Sequence, residues 1–496
     1  LDGSNRDTSA FSDVKRGGVG NAGDVEVKAS SLEVVSGATV SARTFGQGDA
    51  GNVLIEVTGA VKLDRRNRFV FTGVVNTVSS GAVGDAKVVE IRADSVEVLN
   101  GALIDSSTLS RGNGGTVLVE ADGLVKFDRG ESELFPTGAF SLVLEGAVGN
   151  AGDVKIRANS LELTNRAQAS AAVFGVGNGG NVEIRANSVE ITNSAFIGAS
   201  TFGEGDAGRV VIEADGLVRF DARGRKDENN STGAFSIVGS FEGENAVGNA
   251  GGVRIKADSV EILNGAIVGV GTFGEGDAGR VVIEANSLVR FDGGDTEVET
   301  TGPGSDVRMG AVGDSGGVEI RAHTVEVLNG AAVRANTNGR GNAGTIVIEA
   351  DGLVKLDRGD SDIDTGIFSR VNSGAVGNAG GVEIRANSLE VINGAEITAS
   401  TLDQGDAGSV VIEADRSVKF DRGFASSQVN TEAVGNAGGV EIRANSLEVI
   451  NGAQINASTL GQGKAGSVVI EATDLVKLDR GFASSEVNSG AVGNAG

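Results

Sequence analysis

The nineteen residues from Gly377 to Ala395, GNAGGVEIRANSLEVINGA, recur letter for letter from Gly435 to Ala453. A chain that repeats itself this closely folds by stacking like on like, because each copy offers the same apolar face and meets its neighbours in the same way. Taking the first apolar residue after each glycine-rich turn as an anchor finds fifteen copies: Val25, Val53, Val89, Val117, Val154, Val182, Val210, Val253, Val281, Val318, Ile346, Val382, Val410, Val440 and Val468. They are of two kinds. An A unit reads like VEIRANSLEVINGAEITASTLDQGDAG and always reaches the next anchor after 28 residues. A B unit reads like VVIEADGLVKFDRG, followed by a variable stretch, and runs for 30 to 43 residues. The order is A then B, except that the A units at Val154 and Val182 are consecutive.

VEIRA and VVIEA place apolar residues at the anchor and at two and four positions beyond it, the period of a half-buried strand. Two further strand-like runs follow in each unit, near LEV and EITAS, with Asn, Asp, Ser and Gly between them. Three short strands per unit, repeated in tandem, predict an all-β fold: a right-handed parallel β-helix of about 15 coils. Outward residues at equivalent positions then become neighbours in a column. Three positions after the anchor every A unit has a cation, as at Arg385 and Arg443, and every B unit has Glu, as at Glu349, Glu413 and Glu471. Arg157 beside Arg185, at the A–A junction, is the one break. A second column pairs Glu eight positions on in A units with Lys or Arg nine positions on in B units. Eleven positions on, fourteen of fifteen units have Asn or Asp, and no two Asp are consecutive. Short polar side chains there can bond turn backbone and one another between coils.

The repeat leaves little room for a single converging site, and the composition narrows the chemistry further. The 496 residues include 79 glycines, one histidine and no cysteine, so thiolate nucleophiles, thiolate metal sites and disulfides are absent. The formal net charge of −25 disfavours nucleic acid and anionic membrane surfaces. No apolar stretch approaches the ~18 residues that a membrane-spanning helix needs. Residues 1–20 lack the repeat and are expected to be an irregular N-terminal segment; 21–496 are expected to form one continuous β-helix domain, a fragment of a longer exoprotein.

Several motifs suggest chemistry and have simpler readings. GQGDAG, from Gly46 to Gly51, matches the glycine pattern of dinucleotide-binding turns, but it precedes a strand-like run rather than a helix, so it reads as a coil corner. His323 occupies a corner position that most units give to Asn or Asp. Calcium is a weak possibility, through the turn aspartates Asp49, Asp206, Asp277 and Asp406, with Lys464 replacing the Asp in the last copy. Carboxylates are numerous enough for a polysaccharide-acting enzyme, yet no set stands apart. Hence no catalytic, cofactor-binding or metal residue is assigned. Phe140, Phe235 and Phe368, each in a Thr-Gly-x-Phe-Ser setting, are expected in the core of the third strand. The charged tips of the B insertions beside them are candidates for partner contact.

The phrases TFGQGDAGNVLIE (Thr44 to Glu56), TFGEGDAGRVVIEA (Thr201 to Ala214), IFSRVNSGAVGNAG (Ile367 to Gly380) and NSLEVINGAEITAS (Asn387 to Ser400) resemble the repeat region of filamentous-haemagglutinin-like exoproteins of the two-partner secretion family, particularly the cyanobacterial members. The resemblance covers nearly the whole chain. It implies a secreted, cell-surface β-helix, exported by an outer-membrane partner transporter that engages an N-terminal secretion domain missing from this sequence. It also implies a role in adhesion or surface structure, with a surface glycan or a protein as receptor, and it carries over no catalytic residue. The alternative is a polysaccharide lyase or hydrolase on the same fold.

Overall fold

The computed structural model describes residues 9–66, 70–132, 135–223, 232–239, 246–294 and 301–496. Among them there is no helix, and nearly all strand pairing is parallel. The chain is a right-handed parallel β-helix. It separates into two compact units, one of Leu1–Val218 with Ala222–Gly251 and one of Arg219–Asp221 with Gly252–Gly496. Of the stretch expected to be irregular, residues 9–20 are described. Ser9–Phe11 is a strand paired with Thr39–Ser41, and Val14 and Val19 bridge to Thr44 and Gln47, so the coil pattern begins before the first anchor.

Each coil has the same plan. The anchor run and the LEV run form one bent strand or two adjoining ones, as in Val382–Ile392 or Val89–Ala93 and Ser95–Leu99. A turn then leads to a third, short strand, such as Glu396–Thr398. Alternation sends Val382, Ile384, Leu389 and Val391 into the lumen, where all four are buried. Stacking sets Val382 on Val410, Ile384 on Ile412, Leu389 on Val418 and Val391 on Phe420, so the core is a set of continuous apolar columns. The phenylalanines of the KFD and RFD phrases, Phe127, Phe220, Phe291 and Phe420, are fully buried among them.

The outward columns form as well. Arg385 stands in register with Glu349 and with Glu413, 3.6 and 3.1 Å away across the two coil junctions. Arg443 does the same with Glu413 and Glu471, at 3.4 and 2.9 Å. Arg157 does lie beside Arg185 in register, as the A–A junction demands, and each turns to a glutamate on its other side, Glu120 at 2.6 Å and Glu213 at 3.0 Å. The mismatch of eight against nine positions in the second column has a structural cause. Ala386 pairs with Ala414, but Ser388 pairs with Ser417, so the B strand bulges by one residue and brings Glu390 level with Lys419.

At the next corner, the A-unit Asn sits at positive φ (57° at Asn393) and donates its amide to the Asp of the preceding coil: Asn393 to Asp357 at 2.8 Å, Asn451 to Asp421 at 2.9 Å, Asn100 to Asp64 at 2.9 Å. An Asn donor on an Asp acceptor explains why the two alternate. At the opposite corner the backbones approach so closely that only glycine fits: a Cβ on Gly405 (φ +135°) would lie 1.7 Å from the Gly377 carbonyl oxygen.

Candidate binding face

Two of the three strand runs are thus occupied outward by charged positions that recur along the solenoid. The third is not. Away from the first and last short strands, its middle residue points inward and is buried, as at Ile104, Ala139, Ile197, Ile367, Ile397, Ala425 and Ile455. The residues on either side point outward and change type from coil to coil: Leu103 and Asp105, Gln168 and Ser170, Phe196 and Gly198, Glu396 and Thr398, Gln454 and Asn456.

This alternation corrects the expectation for Phe140 and Phe368. They lie on the side opposite Ala139 and Ile367, outside the lumen, and are buried there by other outward groups. Phe140 packs with Val75 and Leu103, flanked by Phe71 and Leu142. The Arg370 guanidinium covers Phe368 at 4.0 Å. Phe235 likewise meets Phe196 edge-on at 6.2 Å. Near the same face, Phe174 and Phe202 stack at 4.8 Å. Much of the longest B insertion, residues 224–231 and 240–245, lies outside the described residues, as do 133–134 of another.

In the second unit this face holds a cleft of about 280 Å³. Its position follows from loop lengths. The chain spends residues 358–365 between Ile346–Asp357 and Gly366–Phe368, and that insertion supplies Asp364 to one wall. Two coils later only Arg422 and Gly423 separate Val410–Asp421 from Phe424–Ser426, so nothing rises over the floor. Arg422 takes positive φ (61°) to make that short connection.

The floor is a grid. Glu396, Phe424 and Gln454 are register partners in one column, and Thr398, Ser426 and Asn456 in the next. Arg370, Ser400 and Gln428 line the far side. Arg370 Nη2 donates to Glu396 Oε2 at 2.8 Å. Burial lowers the Arg370 guanidinium from its ordinary value and raises the Glu396 carboxyl; the Arg370 charge opposes the rise and nearby Asp364 adds to it. Thr398 and Ser426 hydroxyls bond each other at 3.2 Å, and Ser400 Oγ accepts from the Gln428 backbone N–H at 3.0 Å. Asn456 Oδ1 is buried without a hydrogen-bond partner. The same holds for nine other side-chain atoms among the described residues, the Thr201, Thr401 and Thr459 hydroxyls included.

The residues singled out in the sequence lie elsewhere. The turn aspartates extend a structural ladder in which each side chain accepts from a backbone N–H of the next coil: Asp49 from Asp85 at 3.0 Å, Asp206 from Asn249 at 2.8 Å, Asp277 from Asp314 at 2.9 Å, and Asp406 from Asn436 at 2.7 Å. Lys87 also pairs with Asp49 at 2.7 Å, and the Asp85 N–H together with Lys87 holds that carboxyl below its ordinary value. Among the described residues no group of three His, Cys, Asp or Glu side chains is placed to hold a metal ion. His323 is an exposed corner residue beside a second hollow of about 410 Å³, where Arg321 pairs with both Glu284 and Glu349. The glycine pattern at Gly46 to Gly51 leads into the strand Val53–Val57. No residue of the cleft was anticipated as a site. A signal was present: the three residues after NGA vary in chemical type, reading LID, IVG, AVR, EIT and QIN.

Compared with known proteins, the chain matches no protein-family model, no curated protein and no solved structure.

Proposed function

We propose that this chain is a non-enzymatic β-helix that displays a binding face, in the manner of the secreted, cell-surface adhesins and structural filaments of the filamentous-haemagglutinin type, exported with an outer-membrane partner transporter. The observation that carries this reading is the division of labour between strand runs. Charged positions that recur along the solenoid occupy two outward faces, whereas the short-strand face varies from coil to coil as a surface under selection for contact would. Nothing in ladder stability calls for a Glu396, a Phe424 or a Gln454 at that place. Antibody labelling of intact cells, with adherence of the purified chain to cell or glycan-coated surfaces, tests the reading. Labelling only after lysis, or no adherence, would remove it.

One observation favours the enzymatic alternative: Glu396, its carboxyl raised by burial beside Asp364, sits in a cleft as a general acid would. The bonded Arg370 guanidinium weighs against it, because its charge opposes that rise. Release of reducing or unsaturated ends from polysaccharides by the purified chain, abolished in Glu396→Gln, would establish the enzyme.

A further inference from the structure

We propose that the cleft over the short strands Gly366–Phe368, Glu396–Thr398, Phe424–Ser426 and Gln454–Asn456 binds a neutral oligosaccharide. The inference rests on the reading of this face as a binding face and gives that face its ligand class.

The argument starts from what the floor offers. Phe424 stands between Glu396 in the coil before and Gln454 in the coil after, a half-buried ring with polar groups on both sides. A sugar ring has the matching anisotropy: C–H bonds gather on one face and hydroxyls project around the rim. The apolar face covers an aromatic ring, and the rim hydroxyls, each both donor and acceptor, pair with amides, which serve either role, and with carboxylates, which accept. Gln428, Asn430, Gln454 and Asn456 bring side-chain amides to the cleft.

Charge selects within saccharides. Among the described residues the one cation lining the cleft, Arg370, is already bonded to Glu396, and Asp364 adds a second carboxylate to the wall. A uronate or sulfate would enter a site whose lining cation is already paired, in a chain of net charge −25, and Coulomb repulsion opposes it. Backbone pairing selects against an extended peptide. Peptides dock on sheets by adding a strand at an edge, but Glu396–Thr398 and Phe424–Ser426 each have strand neighbours on both sides, so no edge is on offer. Recognition here is by side chains alone. Coils ~4.8 Å apart present these groups along the solenoid axis at intervals close to the length of one sugar residue, which suits a linear chain lying across several coils.

The test uses the whole chain, titrated by calorimetry with a panel of neutral cello-, manno-, xylo- and malto-oligosaccharides and with oligogalacturonate. At least one neutral series should bind, and oligogalacturonate should not. Phe424→Leu keeps an apolar side chain but removes the flat ring, and Gln454→Ala removes an amide beside it; each should weaken binding by about tenfold while circular dichroism and melting stay as in the wild type. The proposal is overturned if no neutral oligosaccharide binds, if oligogalacturonate or a protein ligand is what occupies the cleft, or if both variants bind the sugar as the wild type does. Adherence to cells that persists in both variants would sink the cleft and leave the displayed face standing. Wild-type protein that neither adheres nor binds sugar would sink both.

Discussion

Asp105 shows what a single outward residue costs when its neighbours close over it. It ends the short strand Leu103–Asp105, level with Val75 and Phe140 in the adjacent coils. Burial pushes its carboxyl from 3.8 up to about 6, against the pull of hydrogen bonds from the Ser107 hydroxyl and backbone N–H. The folded state therefore holds this proton more tightly than the unfolded state. Its stabilising effect is complete below the ordinary Asp value and is lost as pH rises from 3.8 through 6, a loss of about 3 kcal/mol across that range. Asp105→Asn keeps the shape and removes the titration. The variant should be more stable than the wild type at pH 7, by about 2–3 kcal/mol, and indistinguishable from it near pH 3. Urea unfolding across that range decides the matter; parallel pH curves for the two proteins would show that Asp105 is not the group responsible.

Elements in this fold are columns as much as strands, and the Arg–Glu column can be tested as one. Arg385 touches Glu349 and Glu413, its neighbours, whereas Glu471 is two coils further from it than Glu413. These side chains are about half exposed, so each contact contributes only ~0.2–1 kcal/mol, and less at high salt. Arg385→Glu would place three carboxylates in successive coils and should destabilise by about 1 kcal/mol, most at low ionic strength. A double-mutant cycle should couple Arg385 to Glu413 and show no coupling of Arg385 to Glu471. Equal coupling in both cycles, or none in either, would reduce the column to an inheritance of duplication.

For the whole molecule, the alternation makes the A–B pair, rather than the coil, the unit that can be removed. Deleting residues 382–439 takes out one pair and sets the coil of Glu349 against that of Arg443. Deleting 382–409 alone sets Glu349 against Glu413 and Asp357 against Asp421, losing two ion pairs and the Asn393 bridge. The single deletion should therefore be less stable than the pair deletion by about 2 kcal/mol, although it removes fewer coils. Thermal melts of the two proteins at low salt make the comparison. A shorter protein that melts below the longer one by length alone would argue against the pairing rule.

Much of this was open to reading in the letters, for a reason peculiar to solenoids. When contacts are confined to nearest neighbours, a period and an alternation suffice to say what touches what. The strand runs, the inward Val and Ile, the Arg385 and Glu413 contact and the Asn and Asp corner all follow from spacing along the chain. Three things did not. Parity in the third strand placed Phe140 and Phe368 outside the lumen, because a run of three residues is too short to reveal which side is buried. The one-residue bulge that brings Glu390 level with Lys419 is a property of paired backbones, and spacing alone shows it only as a mismatch. The cleft draws Asp364, Arg370, Glu396, Phe424, Gln454 and Asn456 from four coils, and their meeting depends on one insertion rising where the next is missing. Which coils pair is local information and is written in the repeat; what gathers across several coils depends on loop height, which only the folded chain decides.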